Sequence, residues 1–191
     1  MTDNFNWASA TTIGRVTYQC GHCGHKVGPN YGYRASTDTG RHAGILICPT
    51  CTNPTFFDAE KKQHPAVRLG KDVGGITEEG VENLYNEARD CTSVGSYTAA
   101  VLLCRKLLMN IAVQHGAKEG DSFVSYVNYL EESGYVPPNG RRWVDTIRKK
   151  GNEATHEIAL MSEKDAQQII IFVEMLLRFI YEFPSMLEDD T

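Results

Sequence analysis

The sequence predicts a mainly α protein, an antiparallel helical bundle preceded by a small β ribbon built around metal-binding cysteines. Three observations carry that expectation. Two C-x-x-C pairs, Cys20-Gly21-His22-Cys23 and Cys48-Pro49-Thr50-Cys51, stand in an N-terminal part that leans toward strand. From Thr77 onward, apolar residues recur at i, i+3, i+4 and i+7, the period of amphipathic helices. Between the two, residues 58–75 carry charge, one proline and three glycines without apolar periodicity, and read as a connection. The expected domains are therefore a ribbon over 1–57, a linker over 58–75 and a helical body over 76–191.

With 191 residues, 41% apolar and 23% charged, the chain has a globular composition and room for one ordinary domain plus a small appendage. Its first ten residues lack the basic start and apolar core of a secretory signal. The apolar run over residues 169–173 is ended by Glu174, far short of the ~20 residues a membrane span needs. A soluble, cytoplasmic protein with no membrane partner is expected. The net charge of −5 is unevenly spread. Residues 1–75 hold eight Lys/Arg against five Asp/Glu, and residues 76–191 hold eleven against nineteen. That balance argues against strong non-specific nucleic-acid binding by the whole molecule, which needs a broad positive face to displace counterions.

The ribbon follows from the cysteines. A C-x-x-C turn brings two thiolates onto one ion, and two such turns complete a closed tetrahedral shell, so Cys20, Cys23, Cys48 and Cys51 are expected to hold one structural Zn2+. Between the pairs lie a β-leaning segment with Tyr31 and Tyr33, a polar loop over 36–44 and the strand-like Ile45-Leu46-Ile47. Two disulfides are the competing reading, which a reducing cytoplasm disfavours. A redox C-x-x-C would require a βαβ setting that neither pair has. With four thiolates filling the shell, His22 and His25 read as solvated knuckle residues. Some fifty-five residues bury too little apolar area to stand alone, and a structural site contributes on the order of 10 kcal/mol to folding.

The helical body divides into five segments. Thr77 reads as the cap of the first, whose apolar face is Val81, Leu84, Tyr85, Ala88 and Cys91. Ser96 opens the second, with Ala100, Val101, Cys104, Leu107, Leu108 and Ile111 at core spacing and His115-Gly116 closing it. The third runs from Asp121 to about Ser133, with Gly134 as the stop. After Pro137-Pro138 the fourth carries Trp143, Val144 and Ile147. The fifth starts at Ser162-Glu163-Lys164-Asp165 in the manner of a capping box. Cys91 and Cys104 lie on apolar faces and read as inert core thiols. No Walker or dinucleotide glycine fingerprint is present.

The fourth segment holds the candidate chemistry. In Ile147-Arg148-Lys149-Lys150-Gly151-Asn152-Glu153-Ala154-Thr155-His156, Arg148, Asn152 and His156 stand four apart and share one helical stripe. Guanidinium pairs with phosphate oxygens and imidazole titrates near neutrality, so the stripe has the groups of a phosphate site. Arg141, Arg142, Lys149 and Lys150 are the candidate nucleic-acid contacts, against the bland reading of a solvated face.

Together with Tyr85-Asn86-Glu87-Ala88-Arg89-Asp90-Cys91 and the run from Tyr97 to Leu108 that carries Arg105, this stripe resembles a family of bacterial domains grouped with the HEPN superfamily (higher eukaryotes and prokaryotes nucleotide-binding). The resemblance covers residues 76–183. It implies a helical bundle that dimerises, often behind a zinc ribbon, and a role near defence against foreign DNA. Active HEPN proteins are metal-independent ribonucleases using an arginine, four to six intervening residues and a histidine. Asn152 and His156 fit that pattern, but Gly151 stands where the arginine of the commonest form belongs, and Arg148 has one intervening residue too many.

Eight residues of helix separate Arg148 from His156 by ~12 Å along the axis, and Arg148 leans toward the amino terminus, away from the histidine. One chain cannot bring both to one phosphate; a two-fold dimer with antiparallel fourth helices can. There His156 would take the proton from a 2′-hydroxyl, a second His156 or water would protonate the leaving oxygen, and Arg148 or Lys150 would stabilise charge on phosphorus. The structural alternative makes Asn152 and His156 a buried polar network. The reading favoured is a non-catalytic recognition or adaptor protein, homodimeric, with a nucleic acid (RNA or DNA) or a defence-system protein as partner. The alternative is a metal-independent ribonuclease with a composite His156 site at the dimer interface. A third reading gives the ribbon, with Tyr18, Tyr31 and Tyr33, a role in binding DNA.

Overall fold

The computed structural model describes residues 9–14, 16–36, 40–136, 140–156 and 160–188, with the side chains of 141, 142, 151–156 and 188 outside that description. The chain divides into two units, Met1–Arg68 and Leu69–Thr191. It is a mixed fold, with antiparallel sheets and the cysteine cluster in the first unit and helices in the second.

In the first unit, β1 (Thr11–Thr12), β4 (Tyr31–Ser36), β5 (His42–Ile47), β6 (Pro54–Phe57) and β7 (Gln63–His64) form one antiparallel sheet in the order β1-β4-β5-β6-β7. β2 (Tyr18–Gln19) and β3 (Lys26–Val27) form a separate two-stranded ladder around the first C-x-x-C turn. Alternation sets the faces. Gly32, Leu46 and Thr55 are paired across β4, β5 and β6 and all are buried. The neighbouring register Tyr33, Ile45, Phe56 and His64 points to the other face, where every member is half-buried or exposed. Tyr18 is therefore core, packed edge-on against Phe57 at 5.3 Å, while Tyr31 is 59% exposed.

The stretch 58–75, expected as a connection, is divided between the units. Residues 58–62 make a turn in which the Asp58 carboxylate accepts the amides of Glu60 and Lys62, and β7 then pairs with β6. Residues 69–73 belong to the helical unit, with Leu69 and Val73 against its core.

That unit contains α1 (Glu79–Ser93), α2 (Tyr97–Gln114), α3 (Phe123–Glu132), α4 (Arg141–His156), α5 (Glu163–Leu177), one π-helical turn (Arg178–Glu182) and α6 (Phe183–Glu188). The starts correct two expectations. Thr77 does not cap α1; its hydroxyl donates to the Glu78 carboxylate, and Glu78 occupies the cap position without a side-chain bond. α3 starts at Phe123 rather than at Asp121, and Ser122 caps it by accepting the Ser125 amide. Ser162 and Asp165 form the expected capping box of α5. Gly116 (φ +104°) and Gly134 (φ +83°) lie just beyond the ends of α2 and α3.

α2 is the centre of the unit and touches α1, α3, α4 and α5. Its Ala100, Val101, Cys104, Leu107, Leu108, Ile111 and Ala112 are all fully buried. Burial pushes the Cys104 thiol well up, and that of half-buried Cys91 up as well, so neither supplies a ready thiolate. Among the described residues no helix is long and apolar enough to cross a membrane.

Candidate metal centre

The two C-x-x-C pairs fold into the same turn. In the first, the Cys20 amide donates to His25 O (2.9 Å) and the Gly24 amide returns to Cys20 O (2.9 Å). In the second, the Cys48 amide donates to Asn53 O (3.0 Å) and the Thr52 amide returns to Cys48 O (2.9 Å). Both turns need a left-handed residue at their fifth position, supplied by Gly24 (φ +71°) and Thr52 (φ +58°). Glycine adopts that backbone freely; a β-branched residue does not.

These turns aim the sulfurs at one point. The four Sγ atoms lie within 4.8 Å of one another, and the closest approaches, Cys20–Cys51 and Cys23–Cys48, are both 3.8 Å. A tetrahedron with metal–sulfur bonds of about 2.3 Å has sulfur–sulfur edges of about 3.8 Å, whereas a disulfide needs about 2.05 Å. All four thiols are free. The donor set therefore fits a metal ion in a closed, four-sulfur shell.

Electrostatics agrees. Backbone amides of Cys23 and His22 face Cys20 Sγ, those of Cys51 and Thr50 face Cys48 Sγ, and that of His25 faces Cys23 Sγ. Desolvation nevertheless dominates at Cys20, whose thiol is pushed up, and at Cys23, pushed up to about 12. At Cys48 burial also opposes ionisation, but the amides and the thiols of Cys51 and Cys20 outweigh it and lower the pKa. Burial thus opposes ionisation at Cys20 and Cys23, and a bound cation would offset that cost. The walls are Ile13, Tyr18, Val27 and Leu46. Cys20, Cys48 and Cys51 are buried; Cys23 is half-buried. His25 is exposed, while the His22 ring is tethered to Pro54 O at 2.9 Å.

The second candidate is the stripe on α4. Arg148, Asn152 and His156 do lie on one continuous helix. Arg148 is committed inside the unit: one guanidinium nitrogen donates to Glu131 of α3 (2.8 Å) and another to Asp145 (2.6 Å), with the side chain 21% exposed. Lys150 pairs with Asp165 in the first turn of α5 at 3.1 Å. There the Asp165 carboxyl is held below its ordinary range, because bonds from Ser162 and the Lys150 charge outweigh desolvation. The structure thus sends Arg148 and Lys150 to carboxylates on different helices. Lys149 is exposed. The side chains of Arg141, Arg142, Asn152 and His156 lie outside the described residues.

One polar cluster leaves no periodic trace in the sequence. The Arg89 guanidinium, 6% exposed, donates to Leu69 O, Gly70 O, the Asp72 carboxylate and Asn86. Tyr85 donates to Lys71 O, Glu174 accepts the Lys71 amide, and Arg178 donates to Asp72 O. Side chains of α1, α5 and the π turn therefore satisfy the backbone of 69–72, which is why that stretch needs no apolar period.

A β unit with a four-thiol centre followed by a helical unit defines the class. Residues 86–189, just over half of the 191, match the family model described as "Domain of unknown function (DUF4145)", and the chain belongs to that family. No curated protein and no solved structure matches it.

Proposed function

We propose that the chain is a non-catalytic recognition or adaptor protein, in which a zinc-stabilised ribbon is joined to a HEPN-like antiparallel helical bundle. It acts as a cytoplasmic homodimer whose partner is a nucleic acid or a protein of a restriction or anti-phage system. The observation that carries the non-catalytic reading is the clamp on Arg148. Glu131 and Asp145 neutralise Arg148, the arginine of the Arg148–Asn152–His156 stripe, and Lys150 is paired with Asp165. A group that must stabilise charge developing on phosphorus cannot also be saturated by two carboxylates of its own bundle.

Zinc is the metal assigned, because four soft thiolates in a closed shell select it and a reducing compartment keeps the thiols available. When bound it supplies folding energy and rigidity; no open coordination position is left for chemistry. Metal analysis of the purified protein is expected to give one equivalent of zinc, and less than half an equivalent with free thiols overturns this assignment.

A second reading, a metal-independent ribonuclease, is favoured by one observation: Asn152 and His156 fall one turn apart on an unbroken α4. Labelled RNA incubated with the zinc-loaded protein in EDTA, beside His156→Ala, separates the two. No cleavage by folded wild-type protein is expected. Cleavage that disappears in the variant overturns the adaptor reading.

A further inference from the structure

We propose that residues 63–68 form a latch across the Cys20–Cys23 knuckle and that this latch sets how fast the metal leaves. The inference rests on reading the four thiols as a metal site.

Gly21 lies directly beneath the latch. A Cβ built there would stand 2.3 Å from Pro65 O and 2.6 Å from Ala66 O, both backbone atoms that cannot swing aside. Two side chains of the latch fasten it on either side of that crossing. Gln63 Nε2 donates to Gln19 O (2.9 Å), the residue before Cys20, and to Pro65 O (3.0 Å) within the latch. Arg68 Nη2 donates to His22 O (3.4 Å), the residue before Cys23. The second knuckle is fastened differently, by its neighbours in sequence: the Thr52 hydroxyl and the Asn53 amide donate to Cys51 O at 2.8 and 3.3 Å.

A four-thiolate shell opens one ligand at a time, and Cys23 is the half-buried member through which solvent or a competing ligand gains access. Withdrawing Cys23 from the metal requires the Gly21–His22 backbone to rotate. Both its carbonyl at His22 and its contact surface at Gly21 are held by the latch. The same backbone carries the His22 and Cys23 amides that face Cys20 Sγ, so loosening the latch also disorders the hydrogen bonds to that sulfur. Gly21, Gln63 and Arg68 are thus positioning residues for the metal, acting through the knuckle and touching no sulfur.

The test uses the full-length zinc-loaded protein mixed with an excess of a chromophoric chelator, with the rate of zinc transfer recorded. Gly21→Ala is expected to release zinc at least ten-fold faster. The double variant Gln63→Ala/Arg68→Ala adds no atoms to the crossing, and is expected to release it about thirty-fold faster, the factor equivalent to two net hydrogen bonds of ~1 kcal/mol each. Gly80→Ala, whose added Cβ meets nothing within 4 Å, leaves the rate unchanged. Wild-type protein without zinc defeats the metal reading itself. A wild type that holds zinc while both variants release it at the wild-type rate overturns the latch and leaves the metal reading intact; where Gly21→Ala fails to fold, the double variant decides.

Discussion

The two units of this chain solve the same problem by different means. The helical unit buries large apolar side chains on every helix around α2, among them Tyr85, Leu107, Leu108, Ile111, Leu130, Ile147 and Phe172. Among the described residues, the buried cluster of the β unit is Ile13, Tyr18, Val27 and Leu46 together with Cys20, Cys48 and Cys51. At roughly 1.5–3 kcal/mol for each fully buried large side chain, the first set can offset the entropy of ordering its helices and the second cannot offset that of its strands. Burial therefore holds one unit and ligation the other, and perturbations that touch only one of these forces should divide the molecule.

The largest effect follows from removing the ligation. Stripping the metal, or replacing Cys48 by Ser, is expected to unfold the β unit outright, since a structural site of this kind supplies on the order of 10 kcal/mol. Residue-resolved hydrogen exchange on the full chain is the measurement. Amides of β4 and β5 should lose protection while those of α2 and α5 keep theirs. Retention of the β amides would show that the apolar residues suffice, and loss in both units would show that the contrast drawn here is wrong.

Core truncation is the complementary perturbation. Leu107 is fully buried in α2, and Leu107→Ala leaves a cavity in the core of the helical unit. The expected cost is about 2–5 kcal/mol, read from denaturant unfolding of the helical signal. Metal content should stay at one equivalent. A variant that loses its metal in step with its helices would tie together what the two cores keep apart.

How far each region could be read from sequence follows the same contrast. The knuckles are local: four cysteines at fixed spacing and a left-handed fifth position are enough to place the sulfurs, and α2 and α5 announce themselves by period. What escaped depends on partners distant in sequence. The 69–72 stretch looked like a linker because its fixings are hydrogen bonds from Arg89, Tyr85 and Arg178 to backbone atoms, which leave no periodic trace. Arg148 looked like a phosphate ligand because its partner Glu131 is seventeen residues away on α3, and only the packing of α3 on α4 brings the two together. The crossing at Gly21 escaped for the same reason, although a glycine inside a C-x-x-C turn was a visible hint that backbone passes close by.

The smallest effect tests the near-identity of the two knuckles. They share one hydrogen-bond pattern, yet the second places Thr52 where the first has Gly24, at nearly the same left-handed φ. A non-glycine residue in that region costs roughly 1–2 kcal/mol. Thr52→Gly removes this strain but frees the unfolded chain by roughly 0.4–1 kcal/mol and gives up the hydroxyl bond to Cys51 O. The net expectation is a gain of at most ~1 kcal/mol in the metal-loaded protein. Gly24→Thr imports the strain into a site whose Cβ position is open, and is expected to lose about 1 kcal/mol. Exchange protection of β5 in the two variants reads both signs at once. Destabilisation by Thr52→Gly would mean that the threonine hydroxyl outweighs the backbone strain, so that the second knuckle is fastened by its own side chain.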